Sequence, residues 1–290
     1  AGPWVKSVLE REIGIESAGA VRLVRGSHIV VPRIHDRNHA YLLQNPDRRI
    51  IFMIPYERAF TLIGTTDVAV DGDPDKPQAS EDEIAYLCEA ASRYTARPLT
   101  PQQVVWSYSG VRPLYDDGSD NPSAVTRDYH LLLDDNGPPL LSVFGGKITI
   151  YRRLAEQVLE RLESWFPGTH AWTANEALPG GEISALTAKA GFDAFYGDLC
   201  DRCPEMPRPL LARVARRHGT LAKEVLGAAR SEADLGMAFG GGLFEAEARW
   251  FIDQEWALEA DDILWRRSKC GLHMSLGQRE QFTDWMSRNV

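Results

Sequence analysis

The sequence predicts an α+β protein, a mainly antiparallel sheet in the first half joined to an all-helical second half. Three observations carry this reading. Residues 20–65 hold four runs rich in Val, Ile, Leu and aromatic residues, parted by turn signals such as Asn45-Pro-Asp47 and Glu57-Arg58. Ser80, followed three residues later by Glu83, opens a helix by a capping box. Beyond a Gly-, Pro- and Thr-rich stretch at 167–181, apolar residues recur at helical spacing and strand patterns stop. Domains are therefore expected at 1–166 and 182–290, with 167–181 as the linker.

Taken in order, Val5, Val8 and Leu9 predict a short helix to about Ile13. Runs at 20–32, 41–44, 49–54 and 61–65 form an antiparallel meander. The capped helix carries Ile84, Leu87, Cys88 and Ala91 and runs to about Ala96. Further strands are expected at 104–108 and 129–133, with a polar connection at 116–122. Asn136-Gly137 marks a tight turn before a strand starting at Leu140. After Gly145-Gly146-Lys147 an amphipathic helix begins with Ile150, Leu154, Val158 and Leu162, and its pattern ends at Phe166. In the second half, 209–217, 221–230, 243–258, 262–269 and 278–287 read as helices.

An apolar share of 44% and a charged share of 25% are those of a globular chain. The net charge of −9 argues against a general nucleic-acid binder. No run approaches the roughly 18 apolar residues of a bilayer span, which leaves peripheral membrane association open. Cys200-Asp-Arg-Cys203 lacks the second pair that a zinc site wants, so a structural role and a reducing compartment are expected. The opening Ala1-Gly-Pro-Trp4 has no Met, and an apolar helical pattern follows at once. We expect a chain entered part-way into its fold.

The junction at Gly145-Gly146-Lys147 is the most informative local feature. Glycines after a buried-looking strand let a ligand approach the backbone, and a new helix offers unpaired N–H groups to an anion. Two arginines beside turn-forming residues, Arg112 before Pro113 and Arg127 before Asp128, join Lys147 as a cationic set. Arg112 is read as directly following a strand and held stiff by the proline. Converging from three loops, the three would suit a small phosphorylated ligand. Taken singly, each arginine reads better as a surface pair with a neighbouring Asp. His28, flanked by Gly26-Ser27 and Ile29-Val30, is the best general-base candidate among seven histidines; a core His bonded to backbone is the bland alternative. Gly64-Thr65-Thr66-Asp67 follows an apolar strand and either lends hydroxyls to a polar ligand or turns the chain. No metal motif, Walker A loop or GxGxxG occurs, and Gly240-Gly241-Gly242 falls between expected helices.

In combination these segments are more specific. Ala-Gly-Pro-Trp at 1–4, Gly-Ser-His-Ile-Val-Val-Pro-Arg at 26–33 and Ile-Gly-Thr-Thr-Asp at 63–67 occur in order. Tyr-Ser-Gly-Val-Arg-Pro-Leu at 108–114, Thr-Arg-Asp-Tyr at 126–129, Ser-Val-Phe-Gly-Gly-Lys at 142–147 and the nine residues from Asp261 follow. With them the chain resembles the FAD-dependent, respiratory glycerol-3-phosphate dehydrogenases over nearly its whole length. It departs from that family in lacking the initial βαβ unit with GxGxxG, and with it a further substrate-contacting Arg. The resemblance implies most of a substrate-binding half, an entire helical cap domain and only the far rim of a flavin site, a piece inactive by itself.

For the intact protein it implies oxidation of sn-glycerol 3-phosphate to dihydroxyacetone phosphate, with FAD as cofactor and ubiquinone or menaquinone as acceptor. Arg112, Arg127 and Lys147 are then expected on the phosphate, Thr65 as a further substrate contact and His28 as base. Arg112 and Lys147 join His28 in the catalytic set by orienting the substrate. Gly2, Pro3 and Trp4, with Gly145, Gly146, Lys147, Ile148 and Thr149, are expected along the flavin ring. No metal and no nucleic acid are called for, a homodimer is left open, and the expected location is cytoplasmic, peripheral on the inner membrane. A glycerol-3-phosphate oxidase using oxygen and a non-catalytic interaction module are the alternatives.

Overall fold

Alternation of apolar and small or polar residues makes Val21–Pro32 the longest strand, β1, and the first half of the chain assembles around it. In the computed structural model the described residues are 2–16, 19–70, 74–116, 128–168, 170–183 and 188–290. They divide into two compact units, Ala1–Ala174 and Asn175–Val290. In the first, β1 pairs along one side with β6 (Trp106–Tyr115). Its other side is shared by β4 (Phe60–Gly64) and, further along, β5 (Val68–Ala69). β3 (Ile50–Tyr56) pairs with β4, and β2 (Tyr41–Gln44) closes that edge, every pairing antiparallel.

The two-residue period sends Ile29, Val31, Ile51, Met53 and Ile63 to one face, where Leu87, Cys88, Ala90 and Ala91 of α2 (Glu81–Ser92) bury them. α2 starts at the anticipated capping box, with Glu83 N donating to Ser80 Oγ and Ser80 N donating to the Glu83 carboxylate. It stops at Ser92, short of the expected Ala96, because Leu99 N folds back to donate to Ser92 Oγ at 2.8 Å. The register puts Gly26, His28, Gly64, Tyr108 and Arg112 on the opposite face. One expectation is corrected here. Arg112 lies inside β6, which continues through Pro113; β6 is an edge strand, where a residue without an N–H is tolerated.

β7 (Tyr129–Asp134) and β8 (Leu140–Gly145) form a separate hairpin. Phe144 of β8 is buried against Val5 and Leu9, from α1 (Val5–Ser7) and the π-helical turn Val8–Ile13 that continues it. After Lys147 a single 3₁₀ turn, Ile148–Ile150, precedes α3 (Tyr151–Arg161), so the regular helix is shorter at both ends than the amphipathic pattern.

The second unit contains α4 (Ala188–Arg202), α5 (Arg208–His218), α6 (Ala222–Leu226), α7 (Glu245–Glu255) and α8 (Leu276–Met286). The 262–269 run becomes a π-helical turn, Asp262–Arg267. The all-helical expectation needs one correction. Gly240, Gly241 and Gly242, at φ 99°, 56° and 77°, turn the chain between β9 (Ala238–Gly240) and β10 (Leu243–Phe244), which therefore replaces the start of the helix expected from 243. Cys200 and Cys203 are free thiols buried with Leu199, Leu211 and Leu226 in one core; Phe239, Phe251, Ile263 and Phe282 anchor another.

This unit also buries an ionic cluster. Glu247 accepts a hydrogen bond from Arg217 at 2.7 Å, meets His218 Nε2 at 3.0 Å and lies 3.7 Å from Arg213. Burial pushes its carboxyl up, but the His218 hydrogen bond and the charges of Arg217 and Arg213 outweigh that and hold it at about 2.

Candidate active site

The ladder beside β1 is interrupted where β4 ends at Gly64 and β5 begins at Val68. Thr65-Thr66-Asp67 fills the gap opposite Gly26 and Ser27, and a side chain replaces the missing rung. Ser27 N donates to Thr66 Oγ1 at 2.9 Å, and that hydroxyl donates to Glu83 Oε1 at 2.6 Å. Ser27 Oγ donates to the same oxygen at 2.8 Å and meets Ser109 Oγ at 2.7 Å. Arg25 closes on Glu83 Oε2 at 2.8 Å. Burial pushes the Glu83 carboxyl up, yet hydrogen bonds from Ser80, Thr66, Ser27 and Arg25 hold it at about 2. Glu83 thus clamps β1 and the 65–67 loop from the α2 side, and reaches β6 through Ser27. Strand alternation then throws the neighbours of each clamped residue onto the other face: Gly26 and His28 beside Ser27, and Tyr108 beside Ser109.

On that face Arg112 Nη2 donates to Thr65 Oγ1 at 3.1 Å, while Nη1 donates to Asp67 Oδ1 at 2.9 Å. The guanidinium lies on Gly26, where a Cβ would come within 2.3 Å of Nη2. The His28 ring stacks on Tyr108, with centroids 5.0 Å apart and planes at 4°. It covers Gly64, where a Cβ would stand 2.2 Å from its Cδ2. These glycines are required by the side chains above them. Gly64→Ala should displace the imidazole from its stack on Tyr108 and destabilise the fold by about 1–3 kcal/mol, the cost of an overpacked methyl. The urea midpoint of the variant checks this, and an unchanged midpoint would mean that the ring accommodates the methyl.

Burial, and then the charge of Arg112, lower the His28 pKa from 6.5, so the ring is neutral near pH 7. Its Nδ1 is buried without a hydrogen-bond partner. Burial also raises the Tyr108 and Tyr56 phenols, which stay protonated. The cluster therefore combines a neutral base, a cationic fork and a hydroxyl beside an aromatic wall.

His28, Thr65 and Arg112 are brought together as the sequence suggested. Lys147 is exposed at the end of β8, and among the described residues no hydrogen bond or ion pair joins it to His28 or Arg112. Gly145 and Gly146, at φ 72° and 92°, put this turn against Tyr115 and Tyr129. Gly2-Pro3-Trp4 belongs to the same end, because Val5 bonds back to Gly2 O and packs on Phe144. Trp4 and Ile148 are 46% and 88% exposed there, with Thr149 and Lys147 also exposed. Bare glycine backbone, uncovered apolar side chains and a lysine fit a flat ring with an anionic edge. Arg127 lies outside the described residues.

Three participants escaped the sequence reading as site residues. Asp67, within the noted Gly64–Asp67 segment, proves to be the ion-pair partner of Arg112. Tyr108 could have been found from its even spacing to Arg112 along an alternating run. Glu83 had already been assigned to capping, and nothing local links it to Ser27, 56 residues away. Among the described residues no cluster of three or more His, Cys, Asp or Glu could hold a metal, and no helix is long and apolar enough to cross a membrane.

Residues 1–152 match the family described as FAD dependent oxidoreductase. The chain belongs to that family. Within it, the chain is similar to the D-erythritol 1-phosphate dehydrogenase of Brucella abortus, at 47% identity over 98% of this chain and 56% of that protein. The aerobic glycerol-3-phosphate dehydrogenase of Escherichia coli K12 is 44% identical, again over 98% of this chain and 56% of its own length. The crystal structure of a Bacillus halodurans glycerol-3-phosphate dehydrogenase complexed with FAD superposes on all of this chain and 57% of its own, with a TM-score of 0.79 and 26% identity. The chain therefore spans a little over half the length of these relatives.

Proposed function

We propose that the protein containing this chain oxidises a short phosphorylated polyol, sn-glycerol 3-phosphate in the first place, with FAD as the hydride acceptor. The observation that carries this reading is the neutral His28 imidazole beside the Arg112 fork and the Thr65 hydroxyl. Arg112 binds the phosphate, assisted by Arg127 and Lys147, and Thr65 adds a polar contact. His28 takes the hydroxyl proton as the hydrogen on the same carbon leaves with its electron pair, so the secondary alcohol becomes the ketone of dihydroxyacetone phosphate. FAD, when bound, supplies the two-electron acceptor. Gly2, Pro3, Trp4 and the turn from Gly145 to Thr149 would hold its ring side. Electrons pass on to ubiquinone or menaquinone, which implies a peripheral position on the cytoplasmic face of the inner membrane; a homodimer is compatible with this. The 47% identity to a D-erythritol 1-phosphate dehydrogenase favours a second reading, in which the preferred polyol is one carbon longer.

The test is an anaerobic flavin spectrum of the protein expressed from its complete reading frame, before and after each phosphorylated polyol is added. Bleaching of the visible band by sn-glycerol 3-phosphate is expected. Bleaching by D-erythritol 1-phosphate alone would select the second reading. Bound flavin that ignores both would overturn the substrate class, and absence of flavin would overturn the cofactor.

A further inference from the structure

Arg112 is held at both ends of its fork by this chain: Thr65 takes Nη2, and Asp67 takes Nη1 at 2.9 Å. The hydroxyl is neutral and can share the guanidinium with an incoming oxyanion. The carboxylate cannot, because it is itself an anion in the position a second phosphate oxygen would take. Asp67 and Arg112 are 38% and 29% exposed, so solvent anions reach the pair. The loop beneath is clamped through Thr66 to Glu83 and Ser27, so the competing carboxylate stays at the site when a ligand displaces it.

We infer that Asp67 is an internal competitor, an anion that occupies Arg112 in the empty site and must be displaced by the phosphate group of the substrate. Arg112 bound to a carboxylate gains little from exchanging it for another single negative charge. A phosphate dianion, with more charge and three oxygens, repays the exchange. Asp67 thereby weakens the binding of every anion by a similar factor, so that a single-charged carboxylate keeps little net affinity, and it speeds release by taking the fork back.

This inference rests on Arg112 as the phosphate ligand. Its test compares wild type with Asp67→Asn in the flavin-loaded protein. The probes are inorganic phosphate, measured calorimetrically, and glycerate, measured as an inhibitor of oxidation. Asp67→Asn should bind inorganic phosphate about three- to tenfold more tightly, the scale expected from losing a partly exposed competing charge. Inhibition by glycerate should strengthen by a similar factor, and KM for the phosphorylated polyol should fall. General damage to the site would not tighten any of these. Unchanged or weaker phosphate binding in Asp67→Asn would overturn the inference, with Asp67→Ala as the check on an asparagine-specific contact. If wild-type protein bleaches with the polyol while the variant fails to tighten, only the role of Asp67 falls. If wild type ignores the polyol yet phosphate binding tightens in the variant, the proposed reaction falls and the anion competition stands.

Discussion

Replacing His28 by alanine should lower kcat with the phosphorylated polyol by about 10²- to 10⁴-fold, the range for loss of a positioned general base. FAD binding should persist, because His28 is not among the residues proposed to hold the flavin ring, Gly2 to Trp4 and Gly145 to Thr149. The pH dependence carries the sharper signature. A base must be unprotonated, so wild-type kcat/KM should fall as pH drops through the His28 pKa. Burial and the Arg112 charge put that pKa below 6.5, so the acid limb should lie below the value of a free imidazole. The limb should vanish in the alanine variant. A variant with near-full turnover and an intact limb would remove His28 from this role.

The largest expected loss of stability is at Glu247. Its carboxylate is almost fully buried and is the shared partner of Arg217, His218 and Arg213. Glu247→Ala would leave the partly buried Arg217 and Arg213 without this counter-charge and the buried His218 without its 3.0 Å partner, at a cost of about 3–5 kcal/mol. Because the folded pKa, about 2, is depressed below 4.5, the carboxylate stabilises the fold fully above that higher value. That contribution is lost as pH falls from 4.5 toward about 2. Urea titrations at neutral pH and through the acid range should show lower stability in the variant and a shallower acid dependence. Equal midpoints at neutral pH would show that the cluster is dispensable.

How much of this was readable beforehand follows the range of the interactions involved. The β1 alternation and the Ser80–Glu83 cap act within a few residues, and both appear where the pattern put them. α4 was missed because Gly191 and Gly197 dilute its helix propensity, although Phe192, Phe195, Tyr196 and Leu199 keep helical spacing. The strand through Arg112-Pro113 was cut short because proline usually ends a strand pattern. What permits it is an edge position, which is a property of the sheet.

The site divides along the same line. His28, Thr65 and Arg112 were legible as residue types suited to binding and proton transfer, each beside a glycine or proline that shapes its backbone. Their convergence was legible only through the family resemblance, since it depends on pairings between β1, β4 and β6 across dozens of residues. Nor could the sequence show that the Arg112 fork is already occupied by Asp67, or that Glu83 clamps the segments carrying His28 and Thr65 and reaches that of Arg112 through Ser27 and Ser109. By itself the sequence determined the strand and helix periods, the helix cap and the chemical repertoire, because these depend on neighbours along the chain. The tertiary structure alone decided which groups share one face and which charges meet, because side-chain partners are chosen by register and packing.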